Sequence, residues 1–175
     1  MNHWFVAIVS TLLVVSCADS HQVVRSDASP DARIDATFTI YIAVPVDGVY
    51  GATTYCYRGS GQNTAQIIHS AFAKRSRSTK VGRSAQSFDE ARDTALSNNW
   101  GYLVYPIILH WEDRATGWSG ISDRVEVKIE VVEAATDRSV ASAVIKGNSG
   151  LATFGGDHPQ DLLPKPIEEF VSSLY

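Results

Sequence analysis

The stretch Gly101–His110, GYLVYPIILH, is apolar on both of its alternating residue sets. A strand with that pattern is covered on both faces and lies at the centre of a sheet, although Pro106 sits awkwardly within it. A second stretch has the opposite character. After the turn Ala115-Thr116-Gly117, residues Val125, Val127, Ile129 and Val131 alternate with Arg124, Glu126, Lys128 and Glu130, so that strand has one dry face and one wet. A sheet layered with helices accommodates both.

The remaining elements follow from period and punctuation. Phe38, Ile40, Ile42 and Val44 alternate with Thr39, Tyr41 and Ala43 in a first strand that stops at Pro45 and Asp47-Gly48. Beyond a long loop, Ala65, Ile68, Ala71 and Phe72 recur at helical spacing, with Ser60 or Asn63 as N-cap and Lys74, Arg75 and Arg77 at the C-terminal end. Thr79–Gly82 reads as a short strand whose Lys80 and Arg83 suit a sheet edge. Ser87 and Glu90 form a capping box that opens a second helix running to Asn98 or Asn99. Thr136-Asp137-Arg138 turns into a last strand, Ser139–Lys146. Ile167, Phe170, Val171 and Leu174 mark a final helix, with Pro166 at its first position and Glu168 and Glu169 in the first turn. The expected fold is therefore α/β: a mixed five-stranded sheet in the order β-α-β-α-β-β-β-α, with two right-handed crossovers, an antiparallel meander and helices packed on the sheet.

Composition narrows the function classes. Of 175 residues 45% are hydrophobic and only two are cysteine, which fits one domain with its own core and excludes a disulfide scaffold. Fifteen basic against 19 acidic residues, net −4, argue against a general nucleic-acid binder.

The amino terminus carries the most specific signal. Trp4–Val15, WFVAIVSTLLVV, is about half the length of a bilayer-spanning helix and fits the core of a secretory signal peptide. Val14-Val15-Ser16-Cys17 resembles the lipobox of bacterial lipoproteins, although Met1-Asn2-His3 has no Lys or Arg. The resemblance implies removal of residues 1–16 and acylation of Cys17. Ala18, rather than an aspartate, follows the cysteine, which implies the outer membrane, facing the periplasm. Acylated Cys17 leaves Cys56 without an intramolecular partner, and within Tyr55-Cys56-Tyr57 it reads as a small buried hydrophobe, the alternative being a reactive or intermolecularly bridged thiol. Residues 17–36, polar and without period, read as the lipidated cysteine and a flexible tether that places the domain, residues 37–175, roughly 25 Å from the acyl group.

The order of elements is similar to that of the periplasmic domain of the curli-secretion lipoprotein, the amino-terminal domain of the Tol-system propeller protein, and the lipoprotein activators of penicillin-binding proteins. Asp47-Gly48-Val49-Tyr50-Gly51, Gly59-Ser60-Gly61 and the lipobox more closely resemble an uncharacterised family of proteobacterial lipoproteins, a domain of unknown function. That family implies a location and no catalytic residue.

Candidate contacts lie in two places. Arg58-Gly59-Ser60-Gly61 precedes a helix and reads first as simple loop-and-cap chemistry, with Tyr50, Tyr55 and Tyr57 packing the same loop, the alternative being a site whose free N–H groups hold an anion. Trp111 and Trp118 flank a hairpin tip as partner-anchoring indoles or as a cross-strand pair. Ser60 lacks the spacing of a nucleophile elbow, and His69, His110 and His158 stand apart in sequence, so neither a hydrolase nor a metal centre is expected. The five cations Lys74, Arg75, Arg77, Lys80 and Arg83 read as a solvated face or an attractor of acidic groups. The expectation is a non-enzymatic outer-membrane lipoprotein that needs no cofactor and binds another envelope protein or cell-wall component. The alternatives are a small-ligand or cell-wall glycan binder using the Gly59-Ser60-Gly61 helix start and, behind it, a hydrolase.

Overall fold

A computed structural model describes residues 19–25, 33–50, 55–114, 122–150 and 158–175, with the side chain of Tyr50 excepted. In chain order its elements are β1 (Ser20–Arg25), β2 (Thr39–Val44), β3 (Val49–Tyr50), β4 (Tyr55–Cys56), α1 (Ser60–Phe72), β5 (Ser78–Ala85), α2 (Phe88–Ser97), β6 (Tyr102–Glu112), β7 (Arg124–Glu133), β8 (Arg138–Asn148), a short 3-10 turn (Pro159–Leu162) and α3 (Pro164–Ser172). Six strands form one mixed sheet in the order β1-β8-β7-β6-β2-β5, and β3 pairs with β4 in a separate small hairpin. The five expected strands and three expected helices are present in the expected order. β1 is the sixth strand.

The crossovers explain the layers. β5 lies on one side of β2 and β6 on the other, both parallel to it. Because the chain reverses its direction across the sheet between the two crossovers, keeping both right-handed puts α1 and α2 on opposite faces. Ile40, Ile42, Val44, Val104 and the inward valines of β7 accordingly pack with Ile68 and Phe72 of α1 and with Ile167, Phe170 and Val171 of α3. Tyr41, Ala43 and Leu103 pack on the other face with Ala91 and Ala95 of α2. The doubly covered strand is central and the alternating strand is its antiparallel neighbour, with Val125, Val127, Ile129 and Val131 buried.

Pro106 has a visible consequence. Pairing of β6 with β2 stops at Val104, two residues before the proline, and from there β6 borders only β7. The freed flank of β6 becomes one wall of a groove against the loop that follows β2.

Local details correct several expectations. The capping box forms: Ser87 Oγ accepts from Glu90 N at 3.3 Å and Glu90 Oε2 accepts from Ser87 N at 2.8 Å. The final helix starts at Pro164 rather than Pro166, because Leu163 already has helical backbone angles and is fully buried beneath it. β5 is longer than expected and is an edge strand carrying Lys80 and Arg83, as the charges suggested. The larger correction concerns the tether. Ser20–Arg25 pairs with β8 along its whole length, from Ser20 opposite Asn148 to Arg25 opposite Ala143. Val23 packs on the main core, the Arg25 guanidinium lies 5.9 Å from the Phe170 ring centroid and donates to Ser173 Oγ at 2.7 Å, and Ile34 is buried with its N–H on the Leu174 carbonyl. Most of the described part of this segment is therefore docked on the domain.

Two of the five clustered cations are engaged with another element. Lys74 Nζ lies 2.9 Å and the Arg75 guanidinium 2.6 Å from the two oxygens of Glu168, tying the end of α1 to α3. The hydrogen bond from Lys74, and next that from Arg75, holds the Glu168 carboxyl below its ordinary value of 4.5. A depressed carboxyl contributes stability that is fully present above its unfolded pKa and is lost as pH falls through the folded one. Urea melts of wild type and Glu168→Gln between about pH 3 and about pH 7 should therefore show a gap above about pH 4.5 that closes on acidification. A gap independent of pH would mean that the ties do not act through charge.

Candidate functional site

The loop between β2 and α1 is built around Asp47. Its Oδ2 accepts from Gly59 N at 3.0 Å and its Oδ1 from Gly61 N at 2.8 Å. One carboxylate thus satisfies two N–H groups at the positive end of the α1 dipole. Gly59, with φ of +86°, turns the chain into the helix, a conformation that favours glycine. At Gly61 a Cβ would fall well inside 3.0 Å of the Pro45 carbonyl oxygen, so only glycine lets the loop lie against the helix. Ser60 is 3% exposed, and its hydroxyl accepts from Gly48 N at 2.8 Å. Tyr57 N then donates to the Gly48 carbonyl at 2.9 Å, and Gly48 itself lies close against Trp111, where a Cβ would approach the Trp111 Cβ to 2.5 Å.

This geometry puts Gly59, Ser60 and Gly61 to loop-and-cap use and leaves the anion-site alternative without free donors at Gly59 and Gly61. The N–H groups of Gly59 and Gly61 are taken by the protein's own carboxylate, and Ser60 serves as a loop pin rather than as N-cap or nucleophile. Asp47-Gly48 and Gly59-Ser60-Gly61 are two halves of one clamp. Trp111 is likewise not an exposed anchor: at 2% exposure it belongs to the main core, opposite Val125 of β7. Trp118 and the side chain of Tyr50 lie outside the described residues.

The clamp holds up one wall of a cleft of about 540 Å³. Tyr55, Tyr57, Arg58 and Asn63 form that wall, Trp111 lies at the back, and Asp113 and His158 face them from the end of β6 and the start of the 3-10 turn. Tyr55 and Tyr57 meet edge to face with ring centroids 4.9 Å apart, and Tyr55 remains 65% exposed. The Tyr57 oxygen accepts from Asp113 N at 3.2 Å. Burial pushes the Tyr57 hydroxyl above its ordinary pKa, so it stays protonated. Asp113 Oδ2 lies 3.2 Å from His158 Nδ1, while its Oδ1 is buried without a partner among the described residues. A polar cleft with an aromatic wall suits hydrogen bonding combined with stacking, the usual chemistry of a partner or small-ligand site.

Cys56 also lines this cleft and is exposed rather than buried, because β4 belongs to a hairpin standing off the main sheet. No hydrogen bond joins its thiol to His158 among the described residues, and no group of three His, Cys, Asp or Glu side chains there could hold a metal. Of the expected contacts, Tyr55, Arg58 and Ser60 therefore converge on Trp111, with Ser60 and Trp111 structural. The Asp113–His158 pair and the Asp47 clamp were not anticipated. Asp113 and His158 are 45 residues apart with no motif linking them, whereas the turn-forming Asp47-Gly48 was visible without its role.

Comparisons with known proteins come down on a family and a fold. Residues 32–174 match the family described as domain of unknown function DUF4823. The chain belongs to that family. A comparison with curated proteins returns no match. Among solved structures, the PelC dodecamer from Paraburkholderia phytofirmans is similar over 89% of this chain and 97% of its own, with TM-score 0.66 and 12% identity, and a second crystal form gives the same TM-score. Lipoprotein GNA1162 from Neisseria meningitidis is similar over 78% of this chain and 97% of its own, with TM-score 0.52 and 8% identity. At these identities the likeness is one of fold. Among the described residues no helix is long and apolar enough to cross a membrane.

Proposed function

We propose that this DUF4823 chain is a lipoprotein of the bacterial envelope, acylated at Cys17, held in the outer membrane and facing the periplasm. Its domain binds another envelope component, protein or cell wall, without catalysing a reaction. The observation that carries the binding role is the cleft: exposed Tyr55 and Arg58 are presented by a loop that Asp47 clamps to α1, opposite the Asp113–His158 pair. A rigidly presented aromatic beside a cation is the composition of a contact hot spot, and little ordering is needed on binding. The lipobox supports the address. The fold shared with a chain described as a lipoprotein is consistent with it.

The concave shape of the cleft favours a second reading, a wall glycan stacked on Tyr55 and bonded by Asn63, Arg58 and Asp113. One experiment separates the two. With a photo-crosslinking residue in place of Tyr55 in growing cells, a protein partner yields one discrete adduct of higher mass, and Arg58→Glu lowers its yield about tenfold, the equivalent of roughly 1.4 kcal/mol. A glycan yields a wall-linked smear that wall hydrolases collapse. Adducts from Lys80 on the far edge but none from Tyr55 would remove the cleft from the account.

A further inference from the structure

We propose that the domain lies against the phospholipid bilayer, with the loop end of its sheet in the interfacial layer and Val46, Val49, Ile107 and Leu109 in contact with lipid. This rests on acylation of Cys17 and adds an orientation to it. Asp19 Oδ1 accepts from Gly150 N at 3.0 Å, which fixes Asp19 beyond the end of β8. Only Ala18 separates Asp19 from Cys17, and two residues reach at most about 7 Å. The acyl-bearing residue is therefore bound to this end of the sheet whichever way the chain runs. The tether expected to hold the domain roughly 25 Å away is absent as a spacer, because β1 begins at Ser20.

The register shows what else lies at that end. Ser20 is opposite Asn148, Asn148 opposite Arg124, and Arg124 opposite Glu112, three strand spacings or about 14 Å. Next to the end of β6 stand the β3–β4 hairpin and the groove of about 310 Å³ that opens where β2 pairing stops, lined by Pro45, Val46, Val49, Ile107 and Leu109. Val46 is 71%, Val49 55% and Leu109 50% exposed. Of the eight large apolar side chains exposed among the described residues, these three, Tyr55 and Ile107 cluster beside this groove and hairpin. Exposed aliphatic side chains gathered at one end of the sheet suit the boundary between headgroups and acyl chains. The acids nearby are internally engaged, Asp47 by the α1 start and Glu112 by Arg114, while Lys165, beside Asp19 and Ser20, is exposed to meet a phosphate.

Cys56, opposite Val49 in the hairpin, provides the probe, since acylation of Cys17 leaves it the sole thiol. The full-length lipidated protein, carrying an environment-sensitive fluorophore on Cys56, is reconstituted into phosphatidylethanolamine–phosphatidylglycerol vesicles with or without nitroxide on the upper acyl chain. The reference places the fluorophore on Ala135→Cys in a Cys56→Ser background, in the β7–β8 turn at the opposite end. The expected result is quenching of the Cys56 probe at least about twofold stronger than of the reference, weakened by Val46→Asp with Leu109→Asp. Equal quenching in protein that floats with the vesicles would overturn the orientation and leave the anchor standing. A Cys56 probe shielded from aqueous iodide yet untouched by lipid nitroxide would overturn it in favour of a second copy covering the patch. Protein that fails to float would overturn the anchor itself, and the orientation with it.

Discussion

Gly61→Ala should destabilise the domain by about 3 kcal/mol, lowering Tm by roughly 6–12 °C at this chain length. Two opposite effects compete at this position. Alanine is the better helix residue by up to about 1 kcal/mol, less in a first turn. Against that, its Cβ would fall inside the van der Waals shell of the Pro45 carbonyl oxygen, a backbone atom that cannot swing aside. Overpacking of this kind costs about 1–3 kcal/mol, and the displaced loop also stretches the two bonds from Gly59 N and Gly61 N to Asp47, charge-assisted and worth about 1.5–3 kcal/mol each. The clash and the strained clamp win.

Gly59→Ala is the internal control. A Cβ there meets nothing within 4 Å, so its cost is only that of a positive φ, about 1 kcal/mol. Gly61→Ala should also abolish crosslinking from Tyr55, because the same loop presents that side chain, whereas Gly59→Ala should leave most of it. Equal small losses for the two glycines, in thermal melts of the purified domain, would mean that Asp47 and Pro45 do not pin the loop to α1.

How far the sequence spoke for itself depended on the range of the interaction. Ala65, Ile68, Ala71 and Phe72 announced the buried stripe of α1, and Ser87 with Glu90 announced the start of α2, because every partner lies within a few residues. The dry face of β7 was equally plain, since alternation is a local property. β1 was not legible. Its inward side chains are His21, Val23 and Arg25, only one of them aliphatic, and what holds them is β8 and α3, more than a hundred residues away. The role of Asp47 was hidden for a related reason: an acid at a turn is commonplace, and its service at the start of a helix beginning thirteen residues later appears only in three dimensions. The same holds for the cleft. Tyr55 and Arg58 were candidates on composition, but the Asp113–His158 pair that faces them is made by two chain segments whose sequences carry no shared signal.

The docking of β1 changes what the anchor would do. With Cys17 acylated, a long flexible spacer would let the domain sample the periplasm, whereas a strand beginning at Ser20 would keep the cleft close to the membrane surface. Under the proposed function, partners reached from there would be components of the membrane or of its immediate periplasmic layer, and their encounter would gain from confinement to a surface.

The proposed orientation and partners both depend on the acyl group at Cys17, and Cys17→Ser has the largest expected effect of any substitution. One acyl chain holds a protein only marginally, with a partition constant of about 10⁴ M⁻¹, whereas two or more hold it stably. Removing the modified thiol should shift the protein from almost wholly membrane-bound to almost wholly soluble, a change of at least about a hundredfold in the ratio. Because Ser20–Arg25 pairs with β8 and the core among the described residues is built from Val23 onward, the melting curve of the soluble variant should be that of the wild-type domain. The direct measurement is intact mass together with flotation of separated inner and outer membranes, wild type beside Cys17→Ser. The account predicts a wild-type chain that begins at Cys17, carries the mass of its acyl groups and floats with the outer membrane, and a soluble variant without them. A wild type that is soluble and unmodified would contradict it, removing the envelope anchor and leaving a cleft whose ligand must be sought in solution.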